Sequence, residues 1–419
     1  MRRRTYNSIW LAVLIVCLLL RPTQAGEGED GQRAVDQGEE GWPGSRAGVW
    51  HWRLPDTANG LHPTQSWHAI GSAPDGAIYI GGMDHRTNAA LYHLRDGRLD
   101  YVGDARSASE RAHDWQPGET AEKFHTRPLW YDGKVYVASM DRSSLDDAYL
   151  TRRGFHWSEF DPLQATFRDL GVGAAHGSLV TLAADPRRHV LYGASVPTMD
   201  IYRFDVATGR TTILGRPAAF DRAHLYSNRI MWVDLRGRLY LTAGNPQFAA
   251  DDPTIYGHVF FYDPASGFGE QRDWLLQEPR ALEVGQCLPQ RCFFADDKGH
   301  VYRFAEDGPR WSYLGRLQVP AGRYWVWVFD VSRDGESAFI ATSSWEMPPT
   351  LYRFDFAGGT TTRLCGLAAL DLPYPEHTGY DAWDREGRFY LASFGGGADE
   401  NVIVTRVDPQ RLGTCSGSE

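Results

Sequence analysis

The residues of this chain best suited to chemistry recur at one place in a repeated unit. The unit joins an apolar run, a tight turn and an alternating strand, as in FHTRPLWYDGKVYVASM at Phe124–Met140. Counting back eight positions from the turn glycine lands on His68 from Gly76, His125 from Gly133, Arg229 from Gly237 and Trp327 from Gly335. From Gly387 it lands on Gly379, beside Tyr380 and two residues after His377. The third unit has a longer turn, DPRRH, and its entry is placed at His176. Three consecutive units thus present histidine and the next presents arginine. Imidazole titrates near working pH, and guanidinium stays charged, so the pair can move protons and hold a carboxylate.

A second set follows the alternating strand. GMDHR closes it in the first unit and SMDR in the second, which puts His85 and Arg142 at matching places. Tyr226 and Tyr380, beside unit entries, complete a candidate catalytic set of His68, His85, His125, Arg142, His176, Arg229, Tyr226 and Tyr380. Trp67, Tyr324, Trp325 and His377 are the candidate substrate-binding residues, because an aromatic ring can stack on the C–H face of a sugar. Such a set suits β-elimination on a uronic acid. A cation neutralises the carboxylate so that the neighbouring proton becomes acidic, one His or Tyr removes it, and another protonates the leaving oxygen. A divalent cation is the alternative charge stabiliser and a candidate cofactor, held by His from neighbouring units; no regular ligand spacing names the metal. Asp84, Asp141 and Asp381 are the carboxylates that a hydrolase or lactonase-like centre would need. His93, His156, His189, His258 and His300 fall on outer strands or turns and read as structural. Gly395-Gly396-Gly397 has no helix after it and is no phosphate loop.

These residues need an element that brings distant positions together. Asp-Gly between two β-type runs signals a hairpin, because both turn positions favour positive φ. Each unit reads as four short strands, here A to D from the inside outward, closed by segments such as IYRFDVATGRTTILG and LYRFDFAGGTTTRL. Seven units follow one another, and helical periodicity is nearly absent. The expected fold is all-β, a seven-bladed β-propeller of four-stranded blades over Val49–Glu419. Strand-A entries and strand-B exits open on one face of a propeller, so the two sets converge there. Trp130, Trp232, Trp327 and Trp383 lie within strand A and are expected as core between blades.

The N-terminal residues 1–25 read as a signal peptide, with Arg2–Arg4 before an apolar run, Ile9–Leu20, and a small-residue cleavage site at Ala25. Residues 26–48 are Gly-, Glu- and Gln-rich and read as a disordered lead. The expected location is therefore secreted or periplasmic, with no membrane span after cleavage. The net charge is −10, and losing Arg2, Arg3, Arg4 and Arg21 makes it −10 − 4 = −14, which argues against non-specific nucleic-acid binding. Four cysteines remain. Cys287 and Cys292 are close enough to staple a hairpin, and Cys365 with Cys415 would tie the last blades, one of three possible pairings.

The repeat FHTRPLWYDGKVYVAS, with a later strand ending FDP, resembles the blades of secreted seven-bladed propeller polysaccharide lyases, among them oligogalacturonate, ulvan and rhamnose–glucuronate lyases. The ulvan-type members use two His, a Tyr and an Arg on adjoining blades. The resemblance implies that His68, His85 and Arg142 take the His, His and Arg roles, with His125 standing where that family has Tyr. The expectation is an exported, monomeric lyase that cleaves an acidic polysaccharide or oligosaccharide by β-elimination. The alternative is a non-catalytic exported propeller that binds a glycan or scaffolds a protein partner.

Overall fold

The computed structural model describes residues 39–84, 86–140, 153–196, 198–222, 229–244, 255–306, 310–320, 324–332, 334–343, 349–370, 372, 378–393 and 401–412. Within them the chain forms seven antiparallel sheets of four or five strands, a seven-bladed β-propeller. The Asp132-Gly133 turn has φ of 50° and 78°, as a two-residue hairpin requires. The second strand of each blade lies between neighbouring blades, which is why Ile78–Met83 and Val190–Val196 are buried along their whole length. The outermost strands, such as Arg210–Gly215 and Thr360–Gly366, carry the Thr/Arg alternation and face solvent.

The ring is closed from the N-terminus. Blade 7 takes Thr378–Trp383, Phe389–Ser393 and Ile403–Val407 from the end of the chain and Val49–Arg53 as its fourth strand, with Val49 opposite Val407 and Arg53 opposite Ile403. Trp42–Pro43 then borders blade 7, and Glu39–Glu40 borders the outer strand of blade 1. Both short strands fall within the stretch expected to lack structure. The innermost strands of blades 7 and 1 pack together, which completes the ring.

Blade 2 departs from its neighbours where it matters for the site. Its innermost strand is split into Lys123–Phe124 and Leu129–Tyr131, both paired with Lys134–Met140. Between the halves, the Thr126 hydroxyl accepts the Ala138 N–H at 3.0 Å and supplies the ladder partner that the broken strand cannot. Pro128 runs so close to blade 1 that a Cβ on Gly71 would lie 2.4 Å from its carbonyl oxygen. Arg127 crosses the central channel, donating from Nε to the Ile70 carbonyl at 3.1 Å and from Nη1 to the Gly285 carbonyl at 3.2 Å. It braces blades 1, 2 and 5 together.

Cys287 and Cys292 face each other across the innermost hairpin of blade 5 and form the expected disulfide. Cys365 is also disulfide-bonded; Cys415 lies outside the described residues. Among those residues no helix is long and apolar enough to cross a membrane. The one α-helix among them, α1 (Ala105–Arg111), links blades 1 and 2 and is capped by Asp104, whose carboxylate accepts the Ser107 N–H at 2.8 Å.

Candidate functional site

Four of the strand-entry residues selected by the turn-glycine count meet at one end of the channel. His68 from blade 1 and His125 from blade 2 stack, with ring centroids 4.5 Å apart and planes 22° from parallel. Trp327 from blade 6 presents an edge-on contact to His68 at 6.0 Å. The Arg229 guanidinium of blade 4 lies 4.9 Å over the Trp327 ring and pairs with Glu283 of blade 5 at 3.1 Å. Trp67 flanks the group, 6.4 Å from Trp327. Trp327 is therefore part of this cluster and not core between blades, which corrects the sequence expectation. Trp130, Trp232 and Trp383 do pack into inter-blade clusters.

Strand alternation explains who faces inward. Phe124 is fully buried between blades, in edge contact with Phe167, so Lys123 and His125 on either side of it turn to the channel. His68 and His125 are nearly closed to solvent, at 2% and 7% exposure. Burial is the main reason the His68 imidazole titrates well below its ordinary value. The charges of Arg229, His125, Lys123 and Arg127 push it the same way. Lys123 is brought down to about 8, chiefly by burial, with Arg229 adding to the shift and Glu122 opposing it. His68 is thus a neutral base inside a ring of cations.

A cavity of about 310 Å³ runs down the channel from His68, Arg127 and Arg229 along Val180–Ala184, Ile230–Val233 and Val284–Cys287. Its walls are mostly apolar and its mouth is charged, the usual make-up of a small-molecule site.

The remaining sequence candidates divide. His176 is not brought in: it is exposed in the turn between blades 2 and 3, with φ of 63°, and Val180 occupies the channel position of its blade. The longer hairpin turn of blade 3 had displaced the count. Tyr324 is buried at 5% exposure and its hydroxyl donates to the Lys298 carbonyl at 2.9 Å, so it is held as structure and offers no stacking face. Trp325 is partly exposed, two residues before Trp327, where the strand's register shifts between Val326 and Val328. His85, Arg142, Tyr226 and His377 lie outside the described residues, as do Asp141 and the side chains of Tyr380 and Asp381.

Lys123, Glu283 and the brace Arg127 were not singled out from sequence. Lys123 had a signal, since it stands two residues before His125 in a strand-like run. Glu283 had none, because the turn of blade 5 carries no glycine; Gln290 adopts the positive φ there, at 70°.

The sequence matches no protein-family model and no curated protein. Solved propellers share the fold. A chain of a mitotic checkpoint complex superimposes with a TM-score of 0.53 at 12% identity, covering 93% of this chain and 99% of that one. The β-propeller domain of Cps50 (Swd1) from Myceliophteria thermophila gives 0.53 at 11% identity, over 84% and 99%. YCF48 bound to a D1 peptide gives 0.53 at 11%, over 87% and 98%. At such identities the likeness is one of fold, and function must be argued from the site.

A second polar cluster lies toward the outside of blade 2. His156, read from sequence as structural, is 2% exposed, with Nδ1 2.9 Å from Asp169 and Nε2 2.7 Å from Glu119. Asp114 approaches Nδ1 at 4.0 Å and is itself bound by Arg153. Asp114, His156 and Asp169 are close enough to hold a cation. However, both imidazole nitrogens already face carboxylates, and Arg153 supplies a positive charge. The two carboxylate bonds outweigh burial and raise the His156 pKa, so the cluster is an ion-pair latch. It holds the segment that leads through Glu119 to Lys123 and His125.

Proposed function

We propose that the channel mouth binds a carboxylate-bearing sugar and that the protein is an exported lyase cleaving a uronic-acid-containing glycan by β-elimination. The observation that carries this reading is the stacked His68–His125 pair set among Lys123, Arg127 and Arg229. A base for carbon acids must be neutral at working pH, and burial keeps His68 so. Arg229, oriented by Glu283 and Trp327, would neutralise the carboxylate of the sugar and stabilise the charge that develops when the adjacent proton leaves. His68 would take that proton, and His125 would return one to the departing oxygen. Trp67 offers a ring face beside the charged group, and Trp325 belongs to the proposal on sequence grounds. His85 and Arg142, expected on the same rim, belong to the proposal on sequence grounds alone.

The test is ultraviolet absorbance of the unsaturated product over a panel of uronate polymers and oligosaccharides, with His68→Gln as control. Product from at least one substrate, lost in the variant, supports the reading. No unsaturated product from any uronate sinks it. Binding without turnover would favour the second reading, a glycan-binding propeller, for which the near-complete burial of both histidines is the motivating observation.

A further inference from the structure

Three cations converge on the mouth, and they are not equivalent. Arg229 is paired with Glu283 and stacked on Trp327. Arg127 is committed to two backbone carbonyls. Lys123 differs from both: its ammonium has no hydrogen-bond or ion-pair partner among the described residues. Glu122, its neighbour in the chain, acts on it only through the field, and Arg229 repels it.

A shielded ammonium with a cation beside it and no bound counter-ion is an unfavourable arrangement for an empty site. It becomes favourable when an anion arrives. Among the described residues the charges agree, because Lys123, Arg127 and Arg229 lie with Glu122 and Glu283 while His68 is neutral, one positive charge more than negative. The position agrees as well. Lys123 is opposite Met140 at the end of its hairpin, shares the inward face with His125, and is only partly buried by contact surface while His68 and His125 are closed off. A ligand entering from that face meets Lys123 before it meets the histidines.

We propose that the Lys123 ammonium is the seat for the ligand's single carboxylate, holding it so that the sugar ring lies against His68 and His125. Arg229 then polarises the same carboxylate from the opposite side. This rests on reading the mouth as a uronate site, and it is independent of whether elimination follows. The strand that carries Lys123 is anchored by its register with Met140, so the ammonium is delivered to one place and does not roam as a surface lysine would. Lysine serves here as a compact point charge that needs no bidentate geometry. Among the described residues, the charged or titratable groups acting on it are Glu122 from its own segment, Arg229 from blade 4, and neutral His68 from blade 1.

Isothermal titration calorimetry on the full protein provides the test, using glucuronate and galacturonate mono- and disaccharides, each beside its uncharged methyl ester. The wild type is expected to bind a uronate and to prefer it to the ester. Lys123→Met should weaken uronate binding about tenfold or more and leave the ester unaffected, and Lys123→Arg should restore it. In the wild type, uronate affinity should fall as pH rises past about 8, where the ammonium loses its proton, and the Lys123→Arg protein should lack that fall. The pH series uses the unmutated protein, so it holds even if Lys123→Met does not fold. Equal binding of acid and ester by the wild type, wild-type affinity in Lys123→Met, or no uronate binding at all would overturn the assignment. Lys123-dependent binding without any turnover would leave it standing and remove the lyase chemistry instead. Where turnover occurs, Lys123→Met should raise KM more than it lowers kcat.

Discussion

The imidazoles of His68 and His125, from consecutive blades, stack 4.5 Å apart in a mouth that also holds Arg229. Two protonated rings could not stay so close beneath three other cations, so the pair is stable only when His68 is neutral. The physical consequence is a pH-dependent stability. The His68 pKa is lowered on folding, so the unfolded chain binds the extra proton first as pH falls. Stability from this site is therefore present above the ordinary imidazole value of about 6.5 and is lost below it. Nitrogen-detected NMR should show His68 neutral well into that range, and His68→Gln should flatten the acid limb of chemical-denaturation stability against pH. An ordinary titration of His68 near 6.5 would refute the neutral-base assignment.

The Arg229–Glu283 pair, at 3.1 Å and largely shielded, should be worth more together than apart. Arg229→Ala takes the guanidinium away from the shielded Glu283 carboxylate, and a loss of about 2–4 kcal/mol is expected in urea denaturation. The double variant Arg229→Ala/Glu283→Ala should recover much of that stability. Neither variant should turn over substrate, since the charge that polarises the carboxylate is gone. Additive losses in the double variant would show that the two residues do not act as a pair.

How much of this was legible in sequence depended on the turn glycine. Where the hairpin turn was short and ended in glycine, as in blades 1, 2, 4 and 6, the count found His68, His125, Arg229 and Trp327, and these are the residues that meet. It failed where the turn chemistry differed. Blade 3 inserts residues between Asp185 and His189, so His176 was chosen in place of Val180. Blade 5 lets Gln290 do what glycine does elsewhere, and Glu283 went unread. The propeller itself was plain from the repeated hairpins, because Asp-Gly turns and alternation are local signals. The closing strand Val49–Arg53 was not seen as part of blade 7, because its partner Ile403–Val407 lies at the far end of the chain. Trp327 shows a deeper limit: a tryptophan in strand A reads as core, and only the third dimension shows that one of them carries an arginine.

The approach of blades 1 and 2 sets the spacing of the histidines, and Gly71 permits it. A methyl group there would fall 2.4 Å from the Pro128 carbonyl, a backbone atom that cannot turn aside. Gly71→Ala should therefore cost about 1–3 kcal/mol by forcing the two inner strands apart. The same displacement should separate His68 from His125, so activity or ligand affinity should fall further than stability. A Gly71→Ala protein with unchanged stability would mean that Pro128 does not lie against blade 1.

The last prediction concerns the latch on the outside of blade 2, because it holds the segment from which Lys123 and His125 are hung. His156 is bound through Nδ1 by Asp169 and through Nε2 by Glu119, with Asp114 and Arg153 alongside. Its pKa is raised, opposite in sign to His68, so its contribution is complete below the ordinary imidazole value and is lost as pH rises through the raised one. His156→Gln leaves at least one buried carboxylate without its charged partner, and a loss of about 1–3 kcal/mol is expected at neutral pH. The diagnostic readout is local. Amide hydrogen exchange should rise in residues 112–125 of the variant while the strands of blades 4 to 6 keep their protection, and the wild type should show the same loosening only as pH rises through the raised His156 value. A variant that loses protection evenly over all blades would make His156 a general core residue, with no special hold on the strand that delivers Lys123 and His125 to the channel.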